Sequence, residues 1–144
     1  MLQPLDTNVA EIIQMTNDAD SNLVVWPEAV TVYNKNISGL ISEKVVIGGF
    51  FREENTNLYT SAINMKTGHF YDKRNLVPFG EFQPFGSLLE SFNDFFNIPN
   101  SSLSRGNANQ GKADWSALIC WELAFNDTFT DRVKGTKYII HMSL

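Results

Sequence analysis

Three acid-base or nucleophilic side chains sit where apolar runs of this 144-residue chain give out. Glu28 follows Val25-Trp26-Pro27, Lys73 lies in Tyr71-Asp72-Lys73-Arg74, and Cys120 lies in Leu118-Ile119-Cys120-Trp121-Glu122. These residue types suffice to open or transfer an acyl group through a thioester. A thiol is mostly protonated at neutral pH, so a base must take its proton before the sulfur attacks. Glu28 is the candidate general base. The tetrahedral intermediate then needs a fixed cation facing its oxyanion, and Lys73 is the candidate for that. Each residue also has an ordinary fate. Cys120 could be a small buried hydrophobe, Glu28 a solvated loop carboxylate, and Lys73 a surface lysine with its stem along apolar groups. It is their conjunction, each at the end of a strand-like run, that favours chemistry.

Composition narrows the classes of function. Cys120 is the only cysteine, which excludes an internal disulfide and a Cys-rich metal site. His69 and His141 are far apart and neither sits in a metal-ligand spacing, so no metal and no cofactor are expected. The net charge is −5 with Lys and Arg scattered, which argues against nucleic acid as a partner. No apolar run approaches the roughly 20 residues needed to span a bilayer, and the N-terminus lacks the basic and apolar regions of a signal peptide. The chain is 43% hydrophobic, without repeats, and of a length that suits one domain.

The elements that must position these residues follow from periodicity. Asn8 to Asn17 has a helical apolar spacing. Leu23 to Trp26, stopped by Pro27, suits a strand buried on both faces. Val45 to Phe51 reads as another strand, with Gly48-Gly49 where a backbone or ligand could approach closely. Leu58 to Met65 reads as a strand, followed by a turn at Lys66-Thr67-Gly68 and a short run from His69 to Tyr71. Phe85 to Phe96 predicts an amphipathic helix, docked by its apolar stripe, and Ile98 to Asp114 a long loop of the kind that serves a site. Trp115 to Cys120 predicts a strand, Leu123 to Val133 a helix, and Tyr138 to Met142 a final strand. Strands alternating with helices indicate an α/β fold with covered sheets. The abrupt Met1-Leu2-Gln3-Pro4 start, and an end two residues past an apolar run, read as a fragment.

Taken together, the segments resemble the Glu, Lys and Cys motifs of the carbon–nitrogen hydrolase (nitrilase) superfamily. They are most similar to its apolipoprotein N-acyltransferase branch. Trp26-Pro27-Glu28 matches that branch's Glu motif. Tyr71-Asp72-Lys73-Arg74, running into Leu76-Val77-Pro78-Phe79-Gly80-Glu81, is the most specific match, and Ser104-Arg105-Gly106 also fits. The resemblance departs at Trp121, where the family usually has Tyr, and at Tyr59-Thr60-Ser61, where it commonly has Tyr-Asn-Ser. The family's Asn-Asp-x-Trp segment and its membrane-spanning helices have no counterpart in residues 1–144.

The resemblance implies a nitrilase-like α-β-β-α sandwich, incomplete at both ends, with residues 1–144 forming part of the catalytic domain. It implies Glu28 as base, Lys73 as oxyanion stabiliser and Cys120 as nucleophile, with Glu81 and Glu122 in support and Trp121 against the substrate. A second carboxylate near Lys73 would keep its ammonium charged and oriented. Glu122 reads equally well as a carboxylate favoured at a helix start. The implied reaction moves a fatty acyl chain from a phospholipid to the N-terminal amine of a diacylglyceryl-cysteine lipoprotein. The implied location is the bacterial inner membrane, with the site facing the periplasm and membrane contact made by segments outside this chain. A soluble nitrilase-type amidase with the same triad, and an inactive fragment, are the alternative readings.

Overall fold

Helix α1 (Thr7–Asp18) buries Val9 and Ile13, as the apolar spacing predicts, together with Thr16, whereas the apolar Met15 is exposed. The computed structural model describes residues 7–41, 43–78, 81, 103–107, 110–111, 113–125, 130 and 132–144. Thr16 links the helix to the first loop. Its hydroxyl donates to the Ile12 carbonyl at 2.7 Å and accepts from the Trp26 indole at 2.8 Å.

The main sheet is built around β3 (Val45–Glu54). On one edge β3 pairs in parallel with β1 (Leu23–Val25) and, further along, with β2 (Thr31–Val32). On the other edge it forms an antiparallel hairpin with β4 (Asn57–Asn64), turned at Asn55-Thr56. β4 in turn pairs with β5 (Phe70–Asp72). Helix α2 (Lys35–Ser38) is a single turn capped by the Asn34 side chain. A second sheet pairs β6 (Trp115–Ile119) in parallel with β7 (Tyr138–Met142), in the register Trp115↔Tyr138 to Ile119↔Met142.

Successive β3 residues face opposite sides of the sheet, and this divides the core in two. Val46 and Phe50 join Val9, Ile13, Trp26 and Ile63 under α1. Ile47 joins Ala62 and Tyr71 against Trp115, Ala117, Ile119, Ile140 and Met142 of the second sheet. The layers are therefore helix, sheet, sheet. This accounts for part of the expected α-β-β-α order; a helix layer over the outer face of β6 and β7 is not among the described residues.

Several elements depart from expectation for identifiable reasons. β1 is not buried on both faces: Leu23 and Val25 are exposed, and the buried residue is Trp26, just past the strand. An uninterrupted apolar run hides which face is covered. β3 runs on to Glu54 because the hairpin carries Arg52, Glu53 and Glu54 into register with β4. β6 ends at Ile119, and Cys120 opens a 3₁₀ turn, Cys120–Ala124. The helix expected from Leu123 does not begin there. Phe125 is extended, and helical backbone appears at Thr130, Arg132 and Val133. The expected helix Phe85–Phe96 lies outside the described residues. The described parts of the 98–114 segment form neither helix nor strand.

Candidate active site

Between β1 and β2 the chain leaves the sheet for Trp26–Val30 and returns, with Glu28 at the apex. Backbone bonds pin both ends of this loop, from Trp26 N to the Ile47 carbonyl and from Val30 N to the Gly49 carbonyl, each at 3.0 Å. Gly49 makes the close passage possible. A Cβ there would lie 2.6 Å from the Glu28 Cα and closer still to the Pro27 carbonyl. Ala29, the next residue, takes a left-handed φ of 53°. The loop is thus held in a conformation that turns Glu28 inward, where it is buried.

Lys73 follows the last residue of β5 and has no exposed surface. Its amide donates to the Thr60 carbonyl at 2.8 Å, and its carbonyl accepts from Gly106 N at 2.9 Å. Its ammonium donates to Glu28 Oε1 at 2.9 Å and to Glu81 Oε1 at 2.6 Å. Burial opposes the charge on Lys73, but the hydrogen bonds to Glu81 and Glu28 and their negative charges outweigh it, so its pKa is raised. Glu81 is fixed in turn: its Oε2 accepts from Val77 N at 2.8 Å, and its carbonyl accepts from Leu103 N at 2.7 Å. Two carboxylates thus share one buried ammonium.

Cys120 is half-buried, packs against the core shared by the two sheets, and has a φ of 56°. For a residue with a Cβ this left-handed backbone costs roughly 1–2 kcal/mol, and such strain clusters at functional sites. Its carbonyl lies 2.9 Å from His141 Nε2. Two residues on, Glu122 is fully buried and acts as a clamp. Its Oε1 accepts from the Tyr71 hydroxyl at 2.8 Å, Arg74 N at 2.7 Å and Asn75 N at 3.1 Å. Its Oε2 accepts from Ile119 N at 3.0 Å and pairs with Arg132 at 3.7 Å. The Trp121 indole donates to the Asn75 carbonyl at 2.6 Å, and its ring meets Phe125 edge-on.

Glu28, Lys73 and Glu81 are therefore in direct contact. Cys120 stands on a neighbouring turn, tied by Glu122 and Trp121 to the residues just after Lys73. Trp121 is half-buried with its indole N–H already engaged.

Sequence reasoning missed the residues that hold this frame. Arg132 lies over the Tyr71 ring at 3.4 Å. Burial lowers the Arg132 pKa despite the opposing influence of Tyr71 and Glu122, and its Nη1 has no hydrogen-bond partner among the described residues. Burial, then the Glu122 charge, pushes the Tyr71 hydroxyl well above the usual phenol range. Asp72 receives a bidentate pair from Arg52 at 2.9 and 2.7 Å, and the Ser61 hydroxyl at 2.5 Å. Tyr71 and Asp72 immediately precede Lys73 in its motif and could have been found there; Arg132 carries no local signal. Among the described residues no group of three or more His, Cys, Asp or Glu is placed to hold a metal ion. Among them, too, no helix is long and apolar enough to cross a membrane.

No family model matches the chain. Among curated proteins it is similar to apolipoprotein N-acyltransferases. That of Shewanella oneidensis is 30% identical over an alignment 157 positions long, gaps included, covering 86% of this chain and 30% of the relative. Those of Vibrio cholerae and Vibrio parahaemolyticus are 28% and 26% identical, with the same coverage. The chain is a distant homologue of these enzymes over most of its own length, and it spans 30% of theirs.

Proposed function

We propose that residues 1–144 are part of the catalytic domain of an N-acyltransferase of the bacterial inner membrane, with its site facing the periplasm. The enzyme takes a fatty acyl chain from a phospholipid onto Cys120. It then passes the chain to the N-terminal amine of a diacylglyceryl-cysteine lipoprotein. The observation that carries this reading is the buried Lys73 ammonium held by Glu28 and Glu81, beside the turn that presents Cys120. Homology to apolipoprotein N-acyltransferases supports the choice of acyl transfer.

In the first half-reaction Glu28 takes the thiol proton and the thiolate adds to the ester carbonyl carbon. The oxyanion that forms faces the Lys73 ammonium, which Glu81 keeps charged and in place. Collapse breaks the ester C–O bond, and the departing lysophospholipid oxygen takes the proton from Glu28. In the second half-reaction the neutral amine adds to the thioester carbonyl and gives its proton to Glu28. Breaking the C–S bond then leaves an amide and a thiolate, which recovers that proton.

The test uses the full-length protein in phospholipid vesicles with a labelled acyl chain. Label should appear on protein in a hydroxylamine-sensitive form and move to an added lipopeptide with a free N-terminal amine. Glu28→Gln and Lys73→Met should each slow acylation by about 10²–10³-fold, the usual worth of a base or an oxyanion donor. Release of label only as free fatty acid would assign a hydrolase instead. Rates near wild type in both variants would remove the two roles.

A further inference from the structure

Lys73 can face an oxyanion only if its backbone is held still, and β5 is a poor anchor for it. The strand is three residues long and pairs with β4 on one edge. Beyond Lys73 the chain leaves the sheet. The Asp72 backbone groups turned away from β4 are taken by a side chain: Asp72 N donates to Gln110 Oε1 at 2.6 Å, and Gln110 Nε2 donates to the Asp72 carbonyl at 2.7 Å. A carboxamide making this pair of bonds imitates a neighbouring strand.

We propose that Gln110 is a positioning residue for acyl transfer, its amide clamping the Asp72 backbone so that the Lys73 ammonium stays aimed at the oxyanion. The role rests on the acyl-enzyme reading above. Three further contacts point the same way. Gly106, from the same segment as Gln110, donates to the Lys73 carbonyl at 2.9 Å, and a Cβ there would collide with the Asp72 carbonyl. Leu103, at the start of that segment, donates to the carbonyl of Glu81, the second partner of Lys73. The Asp72 side chain is itself fixed by Arg52 and Ser61, so the clamp acts on a residue that cannot swing away. With Thr60 on the Lys73 amide, the backbone N–H and C=O of both Asp72 and Lys73 are engaged. Leu103, Gly106 and Gln110 thus work together as a strap across the base of the oxyanion stabiliser, and Gln110 is its buckle.

The test separates aiming Lys73 from holding the fold. Acylation of Cys120 passes through an oxyanion, whereas alkylation of the same thiol by iodoacetamide is a direct displacement and forms none. Gln110→Met keeps the side chain's bulk and removes both hydrogen bonds. In the full-length protein it should lower kcat for acyl-enzyme formation by about tenfold or more, since small misplacements of a reacting group carry losses of that order. KM for phospholipid and the alkylation rate should stay within about twofold of wild type, because neither depends on the oxyanion contact. Gly106→Ala, which presses on the same carbonyl, should give the same split. Normal acylation in Gln110→Met, or acylation and alkylation falling together in both variants, overturns the positioning role alone. A wild-type protein that alkylates but never acylates overturns the acyl-enzyme reading and this role with it.

Discussion

Lys73 is a charged side chain with no access to water, held by two carboxylates, and its neighbour Tyr71 is a phenol buried against a third. Both pKa values are raised in the folded chain, Lys73 by its partners against burial and Tyr71 by burial and Glu122. Both groups therefore hold their protons more tightly folded than unfolded. Their contribution to stability is fully present below the unfolded values, near 10, and is lost as pH rises through the folded ones. Urea unfolding between about pH 8 and about pH 11 should show stability falling as pH rises, and Tyr71→Phe should flatten that fall. An unchanged slope in Tyr71→Phe would remove the phenol from the account. At this scale the motif residues were readable, since Glu28, Lys73 and Cys120 each end an apolar run. Arg132 was not. A lone arginine in a stretch that reads as helix gives no sign that it will stack on Tyr71 and pair with Glu122, far away in sequence.

The elements matter chiefly through where they stop. β1 and β2 share one edge of β3, and the gap between them is the loop that carries Glu28. β6 stops one residue before Cys120, whose left-handed backbone begins the turn. The Gly48-Gly49 pair was legible as a point of close approach, and the approaching chain is Pro27-Glu28. Gly49→Ala should destabilise the protein by about 1–3 kcal/mol, as a methyl forced into packed backbone does. A shift below about 0.5 kcal/mol in denaturant unfolding would mean the loop yields freely. The helix expected from Leu123 does not begin there, for a physical reason. Glu122 could have served as a helix-start carboxylate, but it folds back to bind Ile119 N and the amides after Lys73, committing the chain to a tight turn. Sequence period carries no information about such a long-range bond.

At the scale of the molecule, one central sheet faces two different partners, α1 on one side and the β6–β7 sheet on the other. Apolar strands implied covered sheets, and periodicity located the strands. The order of layers and the pairing of β6 with β7 depend on contacts between distant segments, which no local pattern encodes. The two sheets also differ in support. β3 and β4 share eight residue pairs within a five-stranded sheet, whereas among the described residues β6 and β7 pair only with each other, with Tyr138 and Ile139 exposed. Amide hydrogen exchange on the 144-residue chain should therefore be slowest in β3 and β4 and faster in β7. Equal protection across both sheets would contradict this ranking.

Acyl transfer by this site requires Cys120 to carry the acyl group, and mass mapping of that residue tests this most directly. Full-length protein incubated with phospholipid, digested and fragmented should show a fatty acyl mass on Cys120 that hydroxylamine removes and that Cys120→Ala lacks. An acyl group found on another residue, or a hydroxylamine-sensitive adduct persisting in Cys120→Ala, would contradict it.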